Sequence, residues 1–423
     1  MDLNEKPNTA FHKENNRDQK GELKMKHDYS KMRFETKAVH AGQHPDEQTG
    51  ALVQPVYMTS TFVFDEERMD RWLAGTPNED EIIYTYGRSR NPTQISLQEK
   101  IASLENAEAA LVTASGMAAI SMAIFGYCKQ GDHIISAQTV YGGTFSFFDH
   151  VLPDFGIDVT FLQEMTPETL EAAKRSNTKV VYFESVANPT LDIPEFDEII
   201  QWAKKNNIKT VVDNTFTSPY LFRPLDWGVD TVVHSCTKYI NGHGDLVGGV
   251  VVGSEEFCEG VRKKQYMELG PVPAPMNCYL MLRGLKTLSI RMEKHCQNAR
   301  IFAERMSQNP KVLQVVYPGL ETDKFHARAA KYFDDYGGMV SIVVDGGSKG
   351  ARDVIFNLKI ANFCVSLGDL DTLVQIPSLM THGKVTKEER EKMGIMDGMI
   401  RVSLGIENIE DILADFEQAL EKI

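Results

Sequence analysis

The chain lacks several things that would have decided its class at once. In 423 residues no apolar run approaches the roughly 20 residues that a bilayer-spanning helix needs. The first residues carry no apolar signal-peptide core. No membrane partner is therefore expected, and a cytoplasmic location is. Basic charge is also scarce: 45 Lys and Arg stand against 59 Asp and Glu, a net charge of -14. A chain so acidic has no basic stripe for phosphate backbones, so no nucleic-acid partner is expected. The six cysteines, Cys128, Cys236, Cys258, Cys278, Cys296 and Cys364, show no CxxC spacing, and there is no HExxH. Reduced thiols are expected, with neither disulfides nor a metal site. A Walker A loop and a GxGxxG loop are both missing, as are internal repeats and low-complexity tracts.

What is present is an ordinary globular composition, 42% hydrophobic and 25% charged. The length exceeds what one compact core fills, which predicts two domains plus accessory segments. Residues 1–30 are polar with alternating charges and cannot bury enough surface to offset their ordering entropy, so a disordered extension is expected there. Residues 31–90 show no long helical periodicity and predict an extended arm that reaches another subunit. From Asn91 the signals alternate. Helical spacing over Pro92 to Leu104 is followed by strand-like runs at Ala109 to Thr113, His133 to Ser136, Val180 to Phe183, Lys209 to Asp213, Thr231 to Ser235 and Gly248 to Val252. Strands alternating with helices predict a mainly parallel sheet over 91–289. A long helical pattern through Met306 leads into a smaller mixed domain, 290–423, with a strand at Met339 to Val344 and a closing helix from about Ile409 to Leu420.

The residues that suit chemistry sit where such a sheet ends. Asp213 closes one apolar run, and Lys238 follows the next, between Ser235 and Thr237 on one side and a glycine-rich loop on the other. Parallel strands deliver their C-terminal residues into one crevice. A lysine and an aspartate delivered there suit pyridoxal 5'-phosphate (PLP), the lysine as its Schiff-base partner and the aspartate as partner of the pyridine nitrogen. The alternatives are a solvated surface lysine and an aspartate that caps a helix. Ser115-Gly116-Met117 lies at a strand-to-helix turn, where backbone N–H groups make an anion site or merely a glycine turn. Tyr141, before Gly142-Gly143, suits stacking on a flat ring and proton donation, or plain burial. Tyr86 and Arg88 offer a phenol and a guanidinium to a phosphate, unless they are an exposed loop. Arg401 lies inside an apolar run and needs an anionic partner, either a substrate carboxylate or a structural glutamate such as Glu407.

Together the motifs AVHAG, PVYMTSTF, YGRSRNPT, ASGMAAI, YGGT, ESVANPT, VVDNTF, HSCTKYINGHGD, RGLKTLSIRMEKH, VSLGD, PSLMTH and IRVSLG, in this order, resemble the Cys/Met-metabolism family of PLP-dependent enzymes, of the methionine γ-lyase and cystathionine γ-lyase type. The likeness runs from about Thr36 to the C-terminus. It implies the fold type I of PLP-dependent transferases, aspartate-aminotransferase-like: an α/β protein with a large, mainly parallel sheet domain and a smaller C-terminal α/β domain. It implies a homotetramer built from two catalytic dimers. By position it implies that Lys238 carries the coenzyme and moves protons, that Asp213 holds the pyridinium, and that Tyr141 stacks on the ring and protonates the leaving group. Gly116, Met117, Ser235 and Thr237 would bind the phosphate, with Tyr86 and Arg88 from a neighbouring subunit. Asn188 would lie near the ring hydroxyl oxygen, and Ser366 and Arg401 would bind the substrate carboxylate. The implied activity on a small amino-acid substrate is γ-elimination from methionine, homocysteine or cystathionine, giving 2-oxobutyrate, ammonia and a thiol. The alternative is γ-replacement on an activated homoserine. Five positions depart from what branches of the family usually carry: Gly143, Ser146, Met267, Glu268 and Val365. Of these, Val365 points to a less polar distal pocket.

Overall fold

In parallel strands buried on both faces, side chains of either parity need apolar surroundings, so the sequence reads as a near-continuous valine and isoleucine run. The computed structural model describes residues 29, 31–46, 48–74, 82–380, 386–392 and 394–423; the extension expected over 1–30 lies outside them apart from Tyr29. Seven strands form the first sheet: β1 Ala109–Thr113, β2 His133–Ala137, β3 Asp158–Leu162, β4 Thr178–Glu184, β5 Lys209–Asp213, β6 Thr231–Ser235 and β7 Gly249–Gly253. Their order is β1-β7-β6-β5-β4-β2-β3. The run β6-β5-β4-β2-β3 is parallel throughout, whereas β7 is antiparallel to both of its neighbours.

Alternate residues of each strand enter opposite cores. Val211, Val233 and Val251 pack with Ala119, Ile120 and Ala123 of the helix Gly116–Tyr127. Val212, Val232 and Val250 pack on the other face with Leu97 and Ile101 of the helix Pro92–Leu104. The second sheet is smaller: β8 Val312–Val316, β9 Met339–Val344, β10 Asn362–Phe363, β11 Leu373–Gln375 and β12 Met399–Ser403, ordered β10-β11-β12-β9-β8. Only its β10–β11 pair is parallel. The helix Leu288–Met306 serves both cores, with Leu288, Met292 and Cys296 in the first and Ala299, Phe302 and Met306 in the second.

Two expectations need correction. The stretch 31–90 is not purely extended: it holds helices at Phe34–His40 and Glu66–Leu73. At 7 and 8 residues they complete about two turns each, too few to show a period in sequence. The edge strand β3 was also missed, because its start, an exposed Asp158 and half-buried Val159 and Thr160, mixes polar and apolar residues.

Candidate active site

Three parallel strands end side by side, and their last residues share a crevice. The register sets Glu184 of β4 opposite Asp213 of β5, and Asp213 opposite Val233 of β6. Asp213 does not cap a helix. Its Oδ1 accepts the Thr215 N–H at 3.0 Å and the Thr215 hydroxyl at 2.5 Å, an Asx-type turn that fixes the carboxylate. Among the described residues its Oδ2 has only a distant donor, the Tyr182 hydroxyl at 3.5 Å. Burial raises the Asp213 pKa while the Thr215 bonds oppose the rise, so the carboxylate stands ready for a cationic N–H partner.

Lys238 follows β6 in a turn whose N–H returns to the Ser235 carbonyl at 3.2 Å. Its Nζ donates to Ser366 Oγ at 2.7 Å, across from the second sheet's domain. Burial first, and the Arg401 charge second, lower the Lys238 pKa to about 8. Ser366 has φ 118, a left-handed backbone that a non-glycine residue adopts only under constraint. The constraint is visible: its carbonyl accepts Arg401 Nη2 at 2.6 Å while its hydroxyl holds Lys238.

Arg401 is 4% exposed on β12. Its Nη1 donates to Asn188 Oδ1 at 2.8 Å. With the Gln375 amide oxygen turned toward it, Nη1 and Nε also donate there at 3.2 Å each. Every one of these acceptors is neutral. Glu407, the structural partner weighed from sequence, instead takes the Thr372 N–H and hydroxyl at 2.5 and 2.9 Å. Burial lowers the Arg401 pKa only to about 10, so a buried guanidinium remains charged with no carboxylate beside it among the described residues. Such a group is a receptor for an anion.

The opposite wall is the start of the helix Gly116–Tyr127. The Ser115 side chain caps the Ala118 N–H at 3.1 Å, leaving the Gly116 and Met117 amides without an intrahelical acceptor. A Cβ at Gly116 would lie 2.8 Å from Ser235 Cβ and 3.0 Å from its Oγ, so glycine is what lets the Ser235 hydroxyl approach this turn. Thr237 closes the same loop, its Oγ1 accepting the Gly248 N–H at 3.1 Å. Tyr141 hangs over the crevice, 48% exposed, and its ring lies where a Cβ at Gly143 would stand, 2.5 Å from that point at Cε1.

Ten of the twelve expected residues thus belong to the walls of one crevice; Tyr86 and Arg88 do not. The Arg88 guanidinium donates to the Met267 carbonyl and lies 5.7 Å from the Tyr86 ring. Tyr86 itself bridges to Thr61. Three residues that sequence reasoning passed over also matter: Thr215, which fixes Asp213, Gln375, which faces Arg401, and Glu184 at the end of β4. Glu184 ends an apolar run just as Asp213 does, and that shared pattern was the available signal.

The crevice fits PLP on its own evidence. A buried carboxylate with one weakly engaged oxygen suits a pyridinium, a side-chain-free helix start flanked by hydroxyls suits a phosphate, and a lysine that sheds its proton easily suits an aldehyde. Comparison with known proteins agrees. The family model for Cys/Met metabolism PLP-dependent enzymes matches residues 35–421. An L-methionine gamma-lyase of Fusobacterium nucleatum subsp. polymorphum is 45% identical over 391 residues, 92% of this chain and 98% of its own length. A cystathionine gamma-lyase of Dictyostelium discoideum is 40% identical over 387 residues, with 92% and 97% covered. The crystal structure of metB from Corynebacterium glutamicum superposes with a TM-score of 0.86 at 38% identity, covering 93% of this chain and 99% of that one. With sequence, fold and crevice in agreement, the chain belongs to the Cys/Met-metabolism family of PLP-dependent enzymes and has the type I fold.

Proposed function

We propose that this enzyme performs γ-elimination on a sulfur amino acid of the methionine or homocysteine kind, releasing 2-oxobutyrate, ammonia and a thiol. The observation that carries this reading is the Ser366 clamp. One residue holds Lys238 Nζ at 2.7 Å and Arg401 Nη2 at 2.6 Å, which puts a proton-carrying amine beside a carboxylate receptor. An α-amino acid docked on Arg401 by its carboxylate presents its Cα–H to that amine. When bound, PLP supplies the electron sink that stabilises charge at Cα.

The remaining roles fall to the chain. Lys238 would attach the coenzyme and then move protons, taking one from Cα and one from Cβ so that the γ-sulfur can depart. Asp213 accepts the ring N–H, and Tyr141 stacks on the ring and gives a proton to the departing sulfur. Gly116, Met117, Ser235 and Thr237 hold the phosphate, and Asn188 meets the ring hydroxyl while its Oδ1 steadies Arg401. Val365, 60% exposed at the mouth, favours a thioether or thiol over a second charged amino-acid end.

Tyr86 and Arg88 act in the site of a second copy. The exposure of Leu52 at 84%, Met58 at 66% and Val63 at 87% along the same arm supports this. The assembly is then a homotetramer of two catalytic dimers, working in the cytoplasm, with 31–90 as arm, 91–289 as coenzyme domain and 290–423 as C-terminal domain. The test is 2-oxobutyrate release from methionine, homocysteine, cystathionine and O-acetylhomoserine, each with and without sulfide. Release from methionine or homocysteine, unchanged by sulfide, is the expected result. Release from the ester alone, suppressed by sulfide as homocysteine forms, would make the enzyme a γ-replacing transferase.

A further inference from the structure

Glu184 is a buried carboxyl, 7% exposed, to which the coenzyme chemistry assigns nothing. It ends β4 directly beside Asp213 in the sheet register. Its Oε1 accepts the backbone N–H of Tyr141 at 2.5 Å, across 43 residues of chain. Tyr141 is the N-cap of the short helix Gly142–Ser146, and its side chain makes no capping bond there. Its ring is half exposed, so little else fixes it from the solvent side. From beneath, the ring is seated by an absence: at Gly143 a Cβ would fall 2.5 Å from Tyr141 Cε1 and 3.1 Å from Met117 Sδ.

We infer that Glu184 is a positioning residue for the reaction, which seats the Tyr141 ring over the coenzyme by reach, holding the tyrosine's amide against the end of β4. The inference rests on the reading of the crevice as a PLP site. Two ionised carboxylates on adjacent strand ends repel at short range in a dry site. Burial, and then the Asp213 charge, push Glu184 well above the usual carboxylate range. As the acceptor of the Tyr141 N–H it acts through its length. The Asn188 backbone N–H is a further neighbour of this carboxyl, so the side chain lies close to both the segment of the stacking tyrosine and that of the ring-hydroxyl asparagine.

Two variants separate reach from charge. Glu184→Gln keeps the length and the acceptor but removes the ionisable group. Glu184→Asp keeps the ionisable group but is shorter by about 1.5 Å. Each holoenzyme is compared with wild type by the visible circular-dichroism band of bound PLP, and by kcat and KM for 2-oxobutyrate release from methionine. The expected result is a Gln variant close to wild type and an Asp variant with a much reduced band. The Asp variant should also lose roughly 10–100-fold in kcat, as for a catalytic group displaced by about an ångström, with KM far less affected. An Asp variant that matches wild type overturns the inference, and so does a Gln variant as impaired as Asp. Gly143→Ala gives an independent check with Glu184 intact. Its Cβ meets the ring from below and should depress the same band, and an unchanged band also overturns the inference. If the wild type releases no 2-oxo acid, the proposed reaction fails, yet the dichroism still decides the role of Glu184.

Discussion

Arg401 offers the sharpest quantitative test. The guanidinium is buried and charged, and its acceptors, Asn188 Oδ1, the Ser366 carbonyl and Gln375, are all neutral. A substrate carboxylate docking there forms charge-assisted bonds in a dry site, where truncating one partner costs about 2–5 kcal/mol. The Arg401→Gln variant should therefore lose roughly 30- to 5,000-fold in kcat/KM for methionine. The loss should fall mainly on the carboxylate, so the control is a substrate without one. With methioninol the wild type should already be slow, and Arg401→Gln should slow it little further. The four rates form a double-mutant cycle in which enzyme variant and substrate change are strongly non-additive. Independent, additive losses would refute the assignment, because Arg401 would then act through the fold rather than through the substrate.

Other predictions follow from the same geometry. Lys238 has a pKa lowered to about 8, and only the neutral amine attacks an aldehyde, so the rate of PLP capture by apoenzyme should rise with pH through about 8 and level off above it. Arg401→Gln removes a cation that lowers the Lys238 pKa and should move this inflection upward; a wild-type inflection in the ordinary lysine range would show that the lysine is not desolvated. Gly116→Ala brings a Cβ to 2.8 Å from Ser235 Cβ and 3.0 Å from its Cα; overpacking of roughly 1–3 kcal/mol should raise the Kd for PLP about 5- to 150-fold, read by equilibrium titration. Mixing an Arg88→Ala protein with a Lys238→Ala protein should restore activity that neither has alone, and no restoration would count against a shared site.

The site was legible in sequence where one residue breaks an apolar run. Asp213 ends one valine-rich strand, Lys238 follows another and Arg401 interrupts a third, so each announces itself by position. What surrounds them was not legible. Asn188 and Arg401 meet from 213 residues apart, and nothing local shows that every acceptor on the guanidinium is neutral. Glu184 ends a strand as plainly as Asp213, but a glutamate after an apolar run is ordinarily a solvated residue. The large sheet emerged from its apolar runs. The short strands β10 and β11, of 2 and 3 residues, did not, because their pairing depends on neighbours remote in sequence rather than on a pattern of their own.

The place of β1 has a consequence for how the polypeptide is made. It is the first strand of its sheet to be synthesised, yet its ladder partner is the last, β7, with Ala109 opposite Gly253. At 5–20 residues per second, the ribosome takes roughly 7–30 s to supply the partner. Throughout that interval Leu111 and Val112, buried in the finished protein, belong to a nascent strand with no ladder to join, an opening for chaperones and for aggregation. Lys238 lies in the connection between β6 and β7, so the sheet's final strand is also the one that anchors the lysine's loop. A chain stalled before Gly249 would carry Asp213, Tyr141 and Lys238 without the frame that brings them together. Its capacity to retain coenzyme should arrive abruptly, late in translation, rather than grow strand by strand.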